Sequence, residues 1–225
     1  MKKYLLFSAV LFAALVLKAA DTPTSVAPSA DHQLIEAAGH GDVPAVKHWL
    51  AQGANVQARD DHGWTALMAA THGNHPDAAA LLIAAGSDVN ARDHLKDTPY
   101  LFAGAEGRLE ILRLTLKAGA ELKSTNRFGG TALIPAAEKG HIENVRELLK
   151  TAIDVNHVNN LGWTALMEAS MKKKRGPVHT EIVRLLLAAG ANPNLPDHKG
   201  VTPLAHAEQA GNMEIASVLK AAGGK

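Results

Sequence analysis

The chain has 225 residues, 47% of them hydrophobic, a formal net charge of +1 and no cysteine. That length and apolar content exclude a disordered chain and allow a substantial core. The balanced charge removes any global field demanding nucleic acid or an acidic partner. The lack of cysteine excludes disulfides, zinc thiolate sites and lipid-modified thiols.

Residues 1–20 stand apart from the rest of the chain. Lys2 and Lys3 precede a run from Leu5 to Leu17 broken only by Ser8, and Lys18-Ala19-Ala20 closes it. A charged start, a short apolar stretch and small residues are the layout of a secretory signal peptide. The run is shorter than the ~20 residues that span a bilayer. Cleavage after Ala19 or Ala20 is therefore expected, with an uncleaved membrane anchor as the alternative. Either way the remainder faces a non-cytosolic compartment, which in a bacterium is the periplasm. Residues 21–30 are rich in Thr, Pro and Ser and read as a flexible leader.

Beyond the leader a threonine opens the same short phrase five times, at Thr65, Thr98, Thr131, Thr164 and Thr202. The first three steps are 33 residues each and the last is 38. A fixed period of this size means a solenoid, in which no unit buries its apolar face alone. Threonine suits the N-cap of a helix, and Pro99 and Pro203 suit the first helical residue. An alanine five residues on (Ala70, Ala103, Ala136, Ala169, Ala207) lets neighbouring helices approach closely. Gly107, Gly140 and Gly211 then close the helix, with Asn74 in the corresponding slot of its own unit. A second helix comes next, carrying residues such as Ile111, Leu112, Leu114 and Leu116, and stops at Gly86, Gly119 or Gly190. A polar connection then runs through Asp60, Asp93 or Asp197 into the next turn.

These residues resemble the ankyrin repeat, whose signature is T-P-L-H-x-A in a 33-residue period. The implied architecture is all-α: a solenoid of about six helix-turn-helix repeats joined by β-turn loops. It covers residues 31–225, in units of about 28–60, 61–93, 94–126, 127–159, 160–197 and 198–225. The first unit is degenerate, with His32-Gln33-Leu34-Ile35-Glu36-Ala37 in the threonine phrase. The family's histidine, which helps tie adjacent loops, is replaced by Met68, Leu101, Ile134, Met167 and Ala205. Packing is therefore expected to hold the loops instead. Pro135 falls in the first turn of its helix, where it removes the bond back to the capping residue.

The resemblance implies a contact surface made of loop tips and first-helix faces. Read onto this chain, that surface carries Trp64, Leu95, Phe102, Phe128, Leu161 and Trp163, rimmed by Glu106, Glu138, Lys139 and Glu168. Interface hot spots favour tryptophan, so these residues are candidates for a recognition strip. The alternative is that the tryptophans before threonine pack on neighbouring loops. Trp49 shares a register with Leu82, Leu148 and Leu186 and is expected in the core, where truncation costs on the order of 3–5 kcal/mol.

The extra five residues of the long step lie in Met171 to Val178 and include Lys172, Lys173, Lys174 and Arg175. Insertions in solenoids map to loops. Four consecutive cations there could steer an acidic protein partner or meet anionic lipid.

Twelve histidines raise the question of a metal. His72 and His75 flank a turn with no third ligand nearby in sequence, His94 and His198 sit on separate loop tips, and no metal-ligand motif occurs. No nucleophile elbow and no phosphate-binding loop occurs either. The expectation is a non-enzymatic, cofactor-free, monomeric module of the bacterial cell envelope that binds another protein. Resemblance to bacterial ankyrin proteins of the cell envelope implies, within that reading, an immunity-type inhibitor, a stress-protection factor or a host-directed effector. An envelope structural or anionic-lipid-associated component using the Lys172–Arg175 loop is the second reading. Nucleic acid is not expected as a partner, and membrane contact is expected only through the signal peptide or weakly through the basic loop.

Overall fold

The computed structural model describes residues 28–173 and 176–225. The expected signal peptide, most of the expected leader, and Lys174 and Arg175 lie outside those residues. The described residues form twelve helices and no strand. They pair as α1 (Ala30–His40) with α2 (Val43–Ala51), α3 (Ala66–Gly73) with α4 (Pro76–Ala84), and α5 (Pro99–Ala105) with α6 (Leu109–Lys117). The second half repeats this with α7 (Leu133–Lys139) and α8 (Ile142–Leu148), α9 (Ala165–Met171) and α10 (Pro177–Ala188), and α11 (Pro203–Ala210) and α12 (Met213–Ala221). First helices pack on first helices along one row, and second helices on second helices along the other.

The periodic residues explain this stacking. Ala70, Ala103, Ala136, Ala169 and Ala207 are all fully buried, so the first-helix row closes on methyl groups. Between the rows lie Leu67, Leu82, Leu112, Leu133, Leu148, Leu166 and Leu186, each at most 1% exposed. Four of the five threonines cap as expected: Thr65, Thr98, Thr164 and Thr202 each accept the N–H three residues on. Ser29 does the same for α1, so the last residues of the span expected as a leader belong to the first hairpin.

Thr131 differs. Pro135 has no N–H to give the Thr131 carbonyl, and the first turn of α7 tightens. Ile134 N–H donates to the Thr131 carbonyl at 3.3 Å, and the Thr131 hydroxyl is buried without a partner. Pro135→Ala is expected to restore the cap and raise stability by about 1 kcal/mol, measured as a higher urea midpoint.

Two further expectations change. Trp49 is half-buried rather than a core residue, although its register matches Leu82, Leu148 and Leu186. It sits in the first described hairpin, where no preceding repeat covers it among the described residues, and its ring meets His48 edge-on at 4.9 Å. The insertion is also only partly loop: α9 extends through Met171, and Pro177 and Val178 open α10.

The loops are tied by hydrogen bonds rather than by packing alone. Arg59 Nη1 donates to the carbonyls of Gly63 and, in the next loop, Arg92, while Arg92 reaches Lys96 and Thr125 in the same manner. His157 Nε2 lies 2.7 Å from the Gly129 carbonyl. Asn90, Asn156 and Asn194 each donate to a glycine carbonyl one repeat on and accept a backbone N–H from the same repeat. These bridges fix the loops relative to one another.

One loop carries backbone strain. Lys96 has φ 66, at the position that Gly63, Gly129, Gly162 and Gly200 hold elsewhere. A side chain in the left-handed region costs roughly 1–2 kcal/mol. Lys96→Gly is expected to gain about 0.5–1 kcal/mol net of the extra freedom glycine has in the unfolded chain, visible as a raised melting temperature.

Candidate functional site

Each loop tip is built by one side chain. The Oδ1 of Asp60, Asp93, Asn126, Asn159 and Asp197 accepts two backbone N–H groups, from the residues two and four further on, at 2.8–3.1 Å. An oxygen so placed pins a turn of fixed geometry. The two residues it clamps are the ones that stand three before and one before the threonine. Leu95, Phe128 and Leu161 occupy the first of these places, and Trp64, Asp97 and Trp163 the second.

In the middle of the stack these tips open onto a groove of about 450 Å³. Leu95, Phe128 and Leu161 project from three successive tips at 53%, 51% and 49% exposure, far above the interior leucines. Phe102, Ile134 and Pro135 from α5 and α7 supply apolar lining, and Trp163 lies at the far end. The Glu106–Lys139 ion pair at 2.5 Å and the Glu138–Lys172 pair stand on its wall. Both span adjacent repeats and are partly exposed, so they contribute little stability. They orient charge along the groove.

The sequence-derived strip is thus largely one surface: Leu95, Phe102, Phe128, Leu161, Trp163 and Lys172 line the groove together. Trp64 does not line it. Its ring stacks on His72 at 3.9 Å, and His72 lies 3.7 Å from Phe102, so Trp64 braces the groove from the neighbouring repeat. His72 is therefore an aromatic spacer, and burial holds its imidazole below the usual histidine range. Glu168 reaches the groove but is 5% exposed, so it is buried lining and no rim residue. Lys173 is exposed beside a separate hollow bordered by Asn212 and Met213. Lys174 and Arg175 lie outside the described residues.

Asp97 and Arg127 also line the groove and were not in the strip. Their positions in the repeat were legible, but not the charge they bring to an apolar surface. Burial pushes the Asp97 carboxyl up to about 6, and the neighbouring Asp93 adds to the effect. A carboxyl raised in the folded state stabilises the fold most below the ordinary carboxylate range, and that stability is lost as pH rises through about 6. Asp97→Asn is expected to be more stable than the parent at pH 8, on the order of 1 kcal/mol after solvent screening, with the gap closing near pH 4. Urea titrations at the two pH values measure it.

Elsewhere the histidines serve the stack. The rings of His75, His141 and His179 lie against Gly41, Gly107 and Gly140 of the preceding hairpin. Among the described residues no three histidine, aspartate or glutamate side chains are grouped to hold a metal ion. No described helix is long and apolar enough to cross a membrane.

A row of helical hairpins with fixed loop tips and an open groove along one face defines a repeat scaffold that presents a surface. A family model for ankyrin repeats in three copies matches residues 34–126 and 100–197. An ankyrin repeat domain from Acinetobacter baumannii AYE is 56% identical, with a TM-score of 0.82, over 85% of this chain and 98% of that one. The ankyrin repeat protein EF0377 is 41% identical, with a TM-score of 0.81, over 84% and 97%. The ankyrin repeat domain of Bcl-3, a member of the IkappaB family, is 26% identical with a TM-score of 0.77, over 88% and 89%. No match was found among curated proteins. The chain belongs to the ankyrin-repeat family, whose members are in general non-enzymatic protein–protein interaction modules.

Proposed function

We propose that this chain is an exported, non-catalytic binding module of the bacterial envelope that takes a partner protein in the groove between Leu95 and Trp163. One observation carries the reading: three large apolar side chains stand half-exposed in a row on loop tips that hydrogen bonds hold rigid. Preorganised apolar anchors lower the ordering cost of association. Within that reading the chain acts by occupying its partner, as an immunity-type inhibitor of a toxin or as support for a stress-protection enzyme. Residues 1–20 support export. The lipid-associated reading is less favoured, because Lys172 already pairs with Glu138 and its carbonyl accepts from Asn212.

Affinity capture from periplasmic extract tests the proposal when run with the parent chain, a groove variant (Phe128→Ala/Trp163→Ala) and a variant on the second-helix row (Arg113→Ala). The expected result is a protein retained by the parent and by Arg113→Ala and lost with the groove variant. Equal retention by all three contradicts it. Salt-sensitive sedimentation with anionic vesicles, together with no groove-dependent capture, would favour the lipid reading instead.

A further inference from the structure

We propose that the groove takes a polypeptide segment in which an apolar or aromatic side chain lies within a few residues of a lysine or arginine, the cation docking on Asp97. The inference rests on the binding reading above and adds the chemistry of the segment bound.

Asp97 occupies the place before the threonine, where the other repeats carry Trp64, Gly130, Trp163 and Val201. Among the five repeats that carry the threonine it is the single charged residue at that place, and it lines the groove with Leu95, Phe102 and Phe128. Its backbone N–H and carbonyl are committed to Asp93, but its carboxylate makes no hydrogen bond or ion pair among the described residues.

Among the described residues no charged group bonds to it, although Arg127 and Arg92 act on it through space and offset part of the effect of burial. Asp93, from the same loop, and Glu106, from the end of α5, add negative field. Arg92 spends its guanidinium on the carbonyls of Lys96 and Thr125. Arg127 lies over the Phe128 ring, 4.8 Å from its centroid. Lys139 is taken by Glu106. His72 from α3 lies behind Phe102, and burial holds its imidazole below the usual histidine range.

A half-buried carboxylate without a partner is a liability unless something supplies a cation. The raised carboxyl pKa agrees with that geometry. A guanidinium or ammonium arriving beside an apolar anchor would satisfy it, and charge-assisted bonds of that kind are the stronger ones. The same arrangement excludes segments that bring a carboxylate to this point.

The test uses a random-peptide display library selected in parallel on the full chain, on Asp97→Asn and on Phe128→Ala/Trp163→Ala. Peptides recovered on the parent are expected to combine an aromatic or aliphatic residue with a nearby lysine or arginine. A synthetic copy of the best one should bind Asp97→Asn about tenfold more weakly. Its affinity for the parent should fall severalfold between pH 7.5 and pH 5, while the variant shows no such loss. Recovered peptides without basic enrichment, or enrichment that persists on Asp97→Asn, overturn the role of Asp97 and leave the groove reading standing. Peptides that bind the Phe128→Ala/Trp163→Ala chain as well as the parent, or a selection yielding no binder, overturn both.

Discussion

Truncating Phe128 and Trp163 together is expected to weaken partner binding by about 100-fold or more while the fold persists. Central tryptophan anchors cost ~2 kcal/mol or more when removed, and Phe128 adds a comparable apolar contact. Stability should suffer far less. Phe128 is half in solvent already, and Trp163 is only half-buried at the groove's end. A combined loss of no more than about 2 kcal/mol is expected, as for surface and partly buried sites generally. Calorimetric titration against the captured partner gives the first number, and urea unfolding of the same samples gives the second. If instead the stability loss matches that of a core truncation, the two rings hold the loops together and bind nothing.

The largest stability effect is expected from Leu112→Ala, at about 3–5 kcal/mol. Leu112 is fully buried on α6, in the middle of the stack, where α6 packs on α4, α5 and α8. A cavity there weakens two inter-repeat interfaces at once, and in a solenoid stability is a sum of such nearest-neighbour terms. Trp49→Ala should cost less, about 2 kcal/mol, because half-burial removes part of the transfer term. It also sits at an end, so fewer interfaces depend on it. The three tryptophans make this readable: Trp49 and Trp64 report the first two repeats and Trp163 the fifth. For Leu112→Ala, fluorescence and circular dichroism transitions should separate as the halves uncouple. Coincident transitions with a loss near 1 kcal/mol would mean that the repeats are less coupled through α6 than their packing implies.

Most of the architecture was legible because the repeat fixes it. The threonine spacing located the caps, and the alanine five residues on located the closest helix contacts. The contact surface implied by the ankyrin resemblance then pointed to Leu95, Phe128, Leu161 and Phe102. The tips share one geometry because one short polar side chain recurs at the clamp in five loops. Its aspartates stood out in the repeat, whereas Asn126 and Asn159 do the same work without the charge.

What remained illegible depends on neighbours that periodicity does not reveal. Trp49 matches Leu82 in register, but position at the end of the stack leaves it half-covered. Trp64 and Trp163 hold equivalent places, yet one stacks on His72 and the other opens onto the groove. His72 has an aromatic ring on either side of it only because Phe102 arrives from the next repeat. Glu168 shares its place with Phe102 and Pro135, and its near-complete burial has no counterpart signal in the sequence.

The central claim is that the chain meets its partner through the loop tips of the middle repeats. A photoreactive amino acid placed at Phe128 in one version of the full chain, and at Arg113 on the second-helix row in another, addresses it in the living cell. Cross-linking of a discrete protein from position 128 and none from position 113 is the expected result. A partner joined from 113 while 128 stays unreacted would contradict the account.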